Sequence, residues 1–230
     1  MVLAAGLGTR LRPLTDDRPK PLVEVAGRTL IDRLLDQVAE AGIGLAVVNL
    51  HHFADRLEAH LRTRRAPRLV FSDERERLLE TGGGTVKALS YLGGAPFFVV
   101  NADVILRHGP TGAFRRLAER WDAARMDALL LMMPTSGAIG YEGPGDYFLA
   151  ADGRARHGKP GEVSPFLYAG LMILKPAALA GRAAEPFGLR TIFDALEAKG
   201  RLYGLRHDGG WIHVGTPEGV AEAERALGEV

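Results

Sequence analysis

Met1-Val2-Leu3-Ala4-Ala5-Gly6-Leu7-Gly8-Thr9-Arg10 begins with five apolar residues that run into a glycine-rich turn and end on a cation. The apolar run, residues 1–5, reads as a strand covered on both faces, which needs no alternation of polar and apolar residues. Glycines at 6 and 8 let the backbone turn tightly and offer successive N–H groups to an anion, with no Cβ in the way. The same alternation recurs downstream. Residues 45–50, 68–72, 96–100 and 128–133 read as strands, separated by helical stretches at 29–41, 54–64, 85–92 and 111–123. Repeated strand–helix–strand units predict an α/β fold, a doubly wound and mainly parallel sheet with helices on both faces. Ligands of such sheets bind beyond the carboxyl ends of the strands, which places chemistry in the loops after Ala5, Leu50, Ser72 and Val100.

After Pro134 the pattern loosens and glycines multiply. Runs at 147–150, 166–174 and 202–205 look antiparallel, with helices at 191–199 and 217–227. They predict a small antiparallel extension that closes over the sheet edge. No repeat, low-complexity tract or linker divides the chain, so one domain is expected over residues 1–230.

Composition narrows the classes. The net charge of +1, from 29 basic and 28 acidic residues, gives no footing for a nucleic-acid or membrane partner. Any phosphate binding must come from local placement of cations and amides. With no cysteine there is no disulfide, thiolate metal site or cysteine nucleophile, and a cytoplasmic location is expected. No apolar run approaches the ~20 residues of a membrane span, and the N-terminus does not read as a signal peptide.

Two familiar glycine patterns fail at the first turn. A dinucleotide fingerprint needs a small residue where Leu11 stands and an acid where Val47-Val48-Asn49 ends the second strand. A P-loop needs Gly-Lys-Ser/Thr, which is absent. What remains is a turn followed by Arg10 and Arg12, then Lys20 between prolines in Arg18-Pro19-Lys20-Pro21-Leu22. The prolines stiffen that segment, and a pre-placed ammonium opposite a phosphate-binding turn suits charge building on phosphorus.

Leu3-Ala4-Ala5-Gly6-Leu7-Gly8-Thr9-Arg10 with Pro19-Lys20-Pro21-Leu22 resembles the signature of the sugar-1-phosphate nucleotidyltransferases, or nucleotide-sugar pyrophosphorylases. The resemblance runs on through Asn101-Ala102-Asp103, Tyr168-Ala169-Gly170 and Trp211-Ile212-His213-Val214-Gly215-Thr216-Pro217. Within the family, Glu80-Thr81-Gly82-Gly83-Gly84 is most similar to the small bacterial N-acetylmuramate-1-phosphate uridylyltransferases of peptidoglycan recycling. The resemblance implies a Rossmann-like nucleotide-diphospho-sugar transferase fold, with a nucleotide-binding half to about residue 133 and an acceptor-binding part beyond it. It implies a nucleoside triphosphate and a sugar 1-phosphate as partners, and a monomer or small homo-oligomer. Uridine triphosphate with N-acetylmuramate 1-phosphate is expected. Guanylyl or cytidylyl transfer, or a nucleotide-sugar-binding regulator, are the alternatives.

Site residues follow. Ala5, Gly6, Gly8, Thr9 and Arg10 would hold the triphosphate, with Lys20 reaching the transferred phosphate. Asp103, at the carboxyl end of the fourth strand, offers the hard oxygen Mg²⁺ takes alongside phosphates and water. Where the family supplies a second carboxylate this chain has His213, an imidazole better suited to Mn²⁺. His213 binds the metal, donates to a phosphate while Asp208 or water completes coordination, or leaves the metal site weakened. The 80–84 segment, read as a loop before a helix at 85, would meet the base through Glu80, Gly82 and Gly83. Asn101, Lys159, Glu162 and Gly170 would meet the acceptor. His51 and His52 read as surface or packing residues.

Overall fold

The computed structural model describes residues 1–228. Its first strand, β1 (Val2–Leu3), stops early because Ala4 leaves the ladder and donates its N–H to Asn49 Oδ1 at 2.7 Å. The expected 1–5 strand is trimmed accordingly. A hairpin of β2 (Glu24–Val25) and β3 (Arg28–Thr29) leads into α1 (Leu30–Glu40). Thr29 caps that helix by accepting from Asp32 N–H at 3.2 Å, and Leu30, Ile31, Leu34, Leu35 and Val38 bury one face at helical spacing. Gly42, at φ 76, supplies the left-handed residue that ends it. The chain continues through β4 (Leu45–Leu50), α2 (Ala54–Leu61), β5 (Arg68–Asp73), α3 (Glu80–Leu92), β6 (Phe97–Asn101), β7 (Val104–Leu106), α4 (Ala113–Arg120) and β8 (Ala128–Pro134). The remainder carries β9 (Ala138–Ile139), β10 (Tyr147–Leu149), β11 (Ala155–His157), β12 (Phe166–Leu174), α5 (Arg190–Ala198), β13 (Leu202–Arg206), β14 (Trp211–His213) and α6 (Pro217–Gly228).

Nine strands form the main sheet in the order β11-β10-β12-β6-β1-β4-β5, with β8 also beside β12 and β13 beside β8. Strands β5, β4, β1 and β6 run parallel. Chain order reverses at β1, so a crevice opens outside its carboxyl end. Strand β12 runs antiparallel to both β6 and β8. Its pairing with β8 shifts register between Tyr168 and Met172, where Gly170 stands at φ 79. The α/β expectation is borne out, and β10 and β12 are antiparallel as read. Strand β13 is a correction: it runs opposite to β12, but β8 lies between them, so β13 pairs parallel to β8.

Both faces of the sheet are covered. Helices α1, α2 and α4 pack one face around Leu35, Leu57 and Phe114. Helices α3 and α5 cover the other around Ala88, Ile192 and Phe193. A third cluster, with Ile105, Ile212 and Ala223, seats α6 on the small sheet β7-β14-β9.

Candidate active site

A cavity of ≈ 380 Å³ opens at the carboxyl ends of β1, β4 and β6. One wall is Ala4, Ala5 and Gly6 with Lys20 and Pro21, and the opposite wall is Leu78, Glu80 and Thr81. Asn49, Asn101 and Asp103 also line it. A smaller cavity of ≈ 170 Å³ shares Asn101 and Asp103 and is walled by Tyr141, Asp146, Gly170, Trp211 and His213. Asn101 and Asp103 therefore form a wall common to the two volumes.

Local sequence explains the shape of the first wall. Gly8 sits at φ 65, and a Cβ there would lie 3.1 Å from Thr15 Cγ2 and 3.2 Å from Lys20 Cβ. Glycine thus allows both the turn and the close approach of the lysine segment. The Thr15 hydroxyl, buried, donates to Gly8 O at 2.8 Å and pins the two together. Pro19 is extended, and Lys20–Leu22 forms a tight turn with Pro21 inside it. Lys20 Nζ donates to Asp103 Oδ2 at 2.9 Å, an ion pair spanning 83 residues of chain. Their side chains are 12% and 35% exposed, so the pair is sheltered yet open to a ligand. Thr9 and Arg10 are exposed and line neither cavity, and buried Leu11 anchors the turn that carries them. Arg12 pairs with Asp16 at the surface, 3.4 Å away.

His213 lies in the smaller cavity, stacked on Trp211 with ring centroids 5.8 Å apart. Trp211 is itself fixed, its indole N–H donating to Ala169 O at 3.0 Å. Burial pushes the His213 imidazole down from its ordinary value, opposed by Asp103 and the Gly140 backbone and aided by the Lys20 and Arg10 charges. A ring held below its usual value is neutral near pH 7 and has a free lone pair. Among the described residues, no group of three or more His, Asp or Glu stands together as a metal site. A cation here would find one carboxylate and one imidazole and would complete its shell from phosphate and water. The carboxylate suits either Mg²⁺ or Mn²⁺, and the imidazole suits Mn²⁺ better. Asp208 is placed elsewhere, bonded to Arg116 at 2.8 Å and packed on Gly109.

The 80–84 segment is not a loop before a helix but the first turn of α3 itself. Gly82 N–H and Gly83 N–H donate to Phe187 O at 2.8 and 3.3 Å, so neither amide faces the cavity. Their lack of a Cβ serves packing. A Cβ on Gly83 would lie 2.0 Å from Glu185 O, and one on Gly82 would lie 2.2 Å from the Phe187 ring. Glu80 and Thr81 do reach the cavity, and Glu80 holds φ 58, a costly conformation for a residue with a side chain.

On the acceptor side, Asn101 and Gly170 meet as read: a Cβ on Gly170 would touch Asn101 at 3.3 Å. Lys159 and Glu162 are drawn away. They share an exposed turn in which Glu162 accepts from Arg156 and from Lys159 N–H, each at 2.8 Å, and neither lines the two cavities. His51 bonds Glu74 O at 2.7 Å and His52 lies against Phe53, both packing roles. Asp146 and Tyr141 went unread. Asp146 accepts from Tyr168 N–H at 3.0 Å, and the Tyr141 hydroxyl accepts from Gly145 N–H at 3.0 Å. Isolated in a glycine-rich stretch, they carry no motif.

The site thus brings a cation between a glycine turn and a strand-end carboxylate, beside two cavities that share a wall. The chain belongs to the nucleotidyl transferase family, whose model matches residues 1–141. It is 48% identical to the N-acetylmuramate alpha-1-phosphate uridylyltransferase of Caulobacter vibrioides, across 100% of this chain and 96% of that protein. Against the enzyme of the same name from Neisseria meningitidis serogroup B it is 33% identical, over 99% of this chain and 97% of the other. In structure it matches HddC from Yersinia pseudotuberculosis complexed with GMP-PN, with TM-score 0.78 and 22% identity over 98% of this chain and 97% of that one.

Proposed function

We propose that this chain transfers a uridylyl group from UTP to N-acetylmuramate 1-phosphate, releasing pyrophosphate, as a single domain acting in the cytoplasm. The identity of the Caulobacter relative, spread over the whole chain, supports the substrate pair. The observation that carries the reaction is the Lys20–Asp103 pair at the junction of the two cavities.

The acceptor's phosphate oxygen, ionised at neutral pH, attacks the α-phosphorus in line. The bond from that phosphorus to the bridging oxygen breaks and pyrophosphate departs. The nucleophile needs no general base, so the protein's work is positioning and charge stabilisation. In this reading the larger cavity holds the base and ribose, and the Gly6–Gly8 turn with Arg10 grips the outgoing phosphates. Lys20 spans to the transferred phosphate, where negative charge grows. Asn101, Asp146 and the bare backbone at Gly170 meet the sugar. Asp103 and His213 would hold Mg²⁺, or Mn²⁺, which neutralises phosphate charge when bound.

Pyrophosphate release is to be measured with UTP, GTP, CTP and dTTP, each against N-acetylmuramate, N-acetylglucosamine and mannose 1-phosphates. The highest kcat/KM is expected for UTP with N-acetylmuramate 1-phosphate. A preference for GTP with mannose 1-phosphate overturns the assignment.

A further inference from the structure

Behind the larger cavity runs a buried polar chain. Ala4 N–H donates to Asn49 Oδ1 at 2.7 Å, and Asn49 Nδ2 donates to Glu74 Oε1 at 2.8 Å. Leu79 N–H donates to Glu74 Oε2 at 3.1 Å. Asn49 is 2% exposed and Glu74 1%, and among the described residues no salt bridge reaches Glu74. Burying a carboxylate without a cation is costly, so its presence here has a specific cause.

The cause lies in donor polarity. Both ends of the chain are backbone N–H groups, which only donate. The Asn49 amide accepts at one end and donates at the other, so it passes that polarity on unchanged. The last group must therefore accept twice, and an ionised carboxylate does so where an amide cannot. These bonds fix the spacing between Ala4, just after β1, and Leu79, just before α3. Ala4 lines the cavity, and so do Leu78 and Glu80 on either side of Leu79. The carboxylate is wedged in place as well, since a Cβ on Gly84 of α3 would lie 2.6 Å from Glu74 Oε1.

We propose that Glu74 is a positioning residue which, through Asn49 and Leu79 N–H, sets the width of the larger cavity and so the affinity for nucleotide over sugar phosphate. This rests on reading that cavity as the nucleotide's. In Glu74→Gln one donor faces another however the amides turn. In Asn49→Asp two acceptors face each other. The double variant restores every contact: the new carboxylate accepts from Ala4 N–H and from the new amide, whose oxygen accepts from Leu79 N–H.

The full-length wild type is first titrated calorimetrically with UTP, GTP, CTP and dTTP to find its nucleotide. KM for that nucleotide and for the sugar phosphate, kcat and Tm are then measured for all three variants. Each single variant is expected to raise the nucleotide KM about 5- to 100-fold, the scale of one mismatched buried hydrogen bond. The sugar-phosphate KM stays within about twofold, and the double variant returns the nucleotide KM to within about threefold of wild type. Equal rises in both KM values, single variants with an unchanged nucleotide KM, or a double variant no better than the singles overturn the proposal. If a single variant does not fold, a double variant that folds and binds as wild type supports the proposal, and one that does not overturns it. A wild type that binds none of the four nucleotides removes the reading of the cavity and this proposal with it. A binding wild type with unaltered variants removes this proposal alone.

Discussion

Lys20 is held by a stiff proline segment on one side and by Asp103 on the other. A group so fixed loses little freedom when charge develops beside it, which is what gives pre-placed cations their catalytic effect. Lys20→Ala is expected to lower kcat by at least about 100-fold while leaving the circular dichroism spectrum unchanged; turnover within a few-fold of wild type would remove Lys20 from the chemistry. His213→Asp places a second carboxylate beside Asp103, as the resemblance implies, and is expected to lower the Mg²⁺ concentration giving half-maximal turnover. A higher requirement would show that the imidazole serves a phosphate instead. Arg10 lines neither cavity, whereas Lys20 and Asp103 stand together at the strand ends and were legible there in the sequence, because a proline-stiffened segment and a strand terminus are local features. Thr15, Asn49 and Glu74 were not. Each is an ordinary loop or strand-end residue in one dimension, and its role is set by a partner 7, 45 or 25 residues away.

Among the elements, α3 departs furthest from its reading. Three glycines are poor helix formers, so propensity moved the expected start to Thr85. Tertiary contact decides otherwise, because the 185–187 segment lies where the Cβ atoms of Gly82 and Gly83 would stand, and Glu74 where that of Gly84 would. Gly83→Ala, which would stabilise an isolated helix by up to about 1 kcal/mol, is expected instead to destabilise this protein by about 2 kcal/mol or more. Denaturant unfolding measures it, and a stabilised variant would contradict the packing. At the far end of the sheet, Asp127 before β8 bonds Lys175 after β12 and Arg201 before β13, each at 2.9 Å. Hydrogen bonding from Arg201 holds the Asp127 carboxyl below its ordinary range, against burial and with help from Lys175. A carboxyl held low in the folded state stabilises it above its unfolded pKa of about 4, and that contribution fades as pH falls through the folded value. Asp127→Asn is therefore expected to cost about 1 kcal/mol at pH 7, with the gap in Tm closing as the pH falls through the lowered folded value. A gap independent of pH would rule out the charge as its source.

At the scale of the whole molecule, the parallel order was legible because strand and helix periods alternate cleanly up to β8. The sense of β13 was not, since a short apolar run carries no record of which neighbour will lie between it and its predecessor. Phe114, buried between α4 and the sheet, is far from both cavities. Phe114→Ala is expected to cost about 3–5 kcal/mol of stability with the nucleotide KM unchanged. Strand β12 belongs in sequence to the acceptor part, yet it lies between β6 and β8 of the nucleotide part. The segments before and after Pro134 are thus interleaved like fingers in one sheet. A chain cut after Pro134 would leave β6 open on one side and β8, stripped of both β12 and β13, open on two, raw edges that invite pairing with other molecules. Such a fragment is expected to aggregate rather than survive as a nucleotide-binding module, so evolution or design could not acquire the acceptor site by simple appendage.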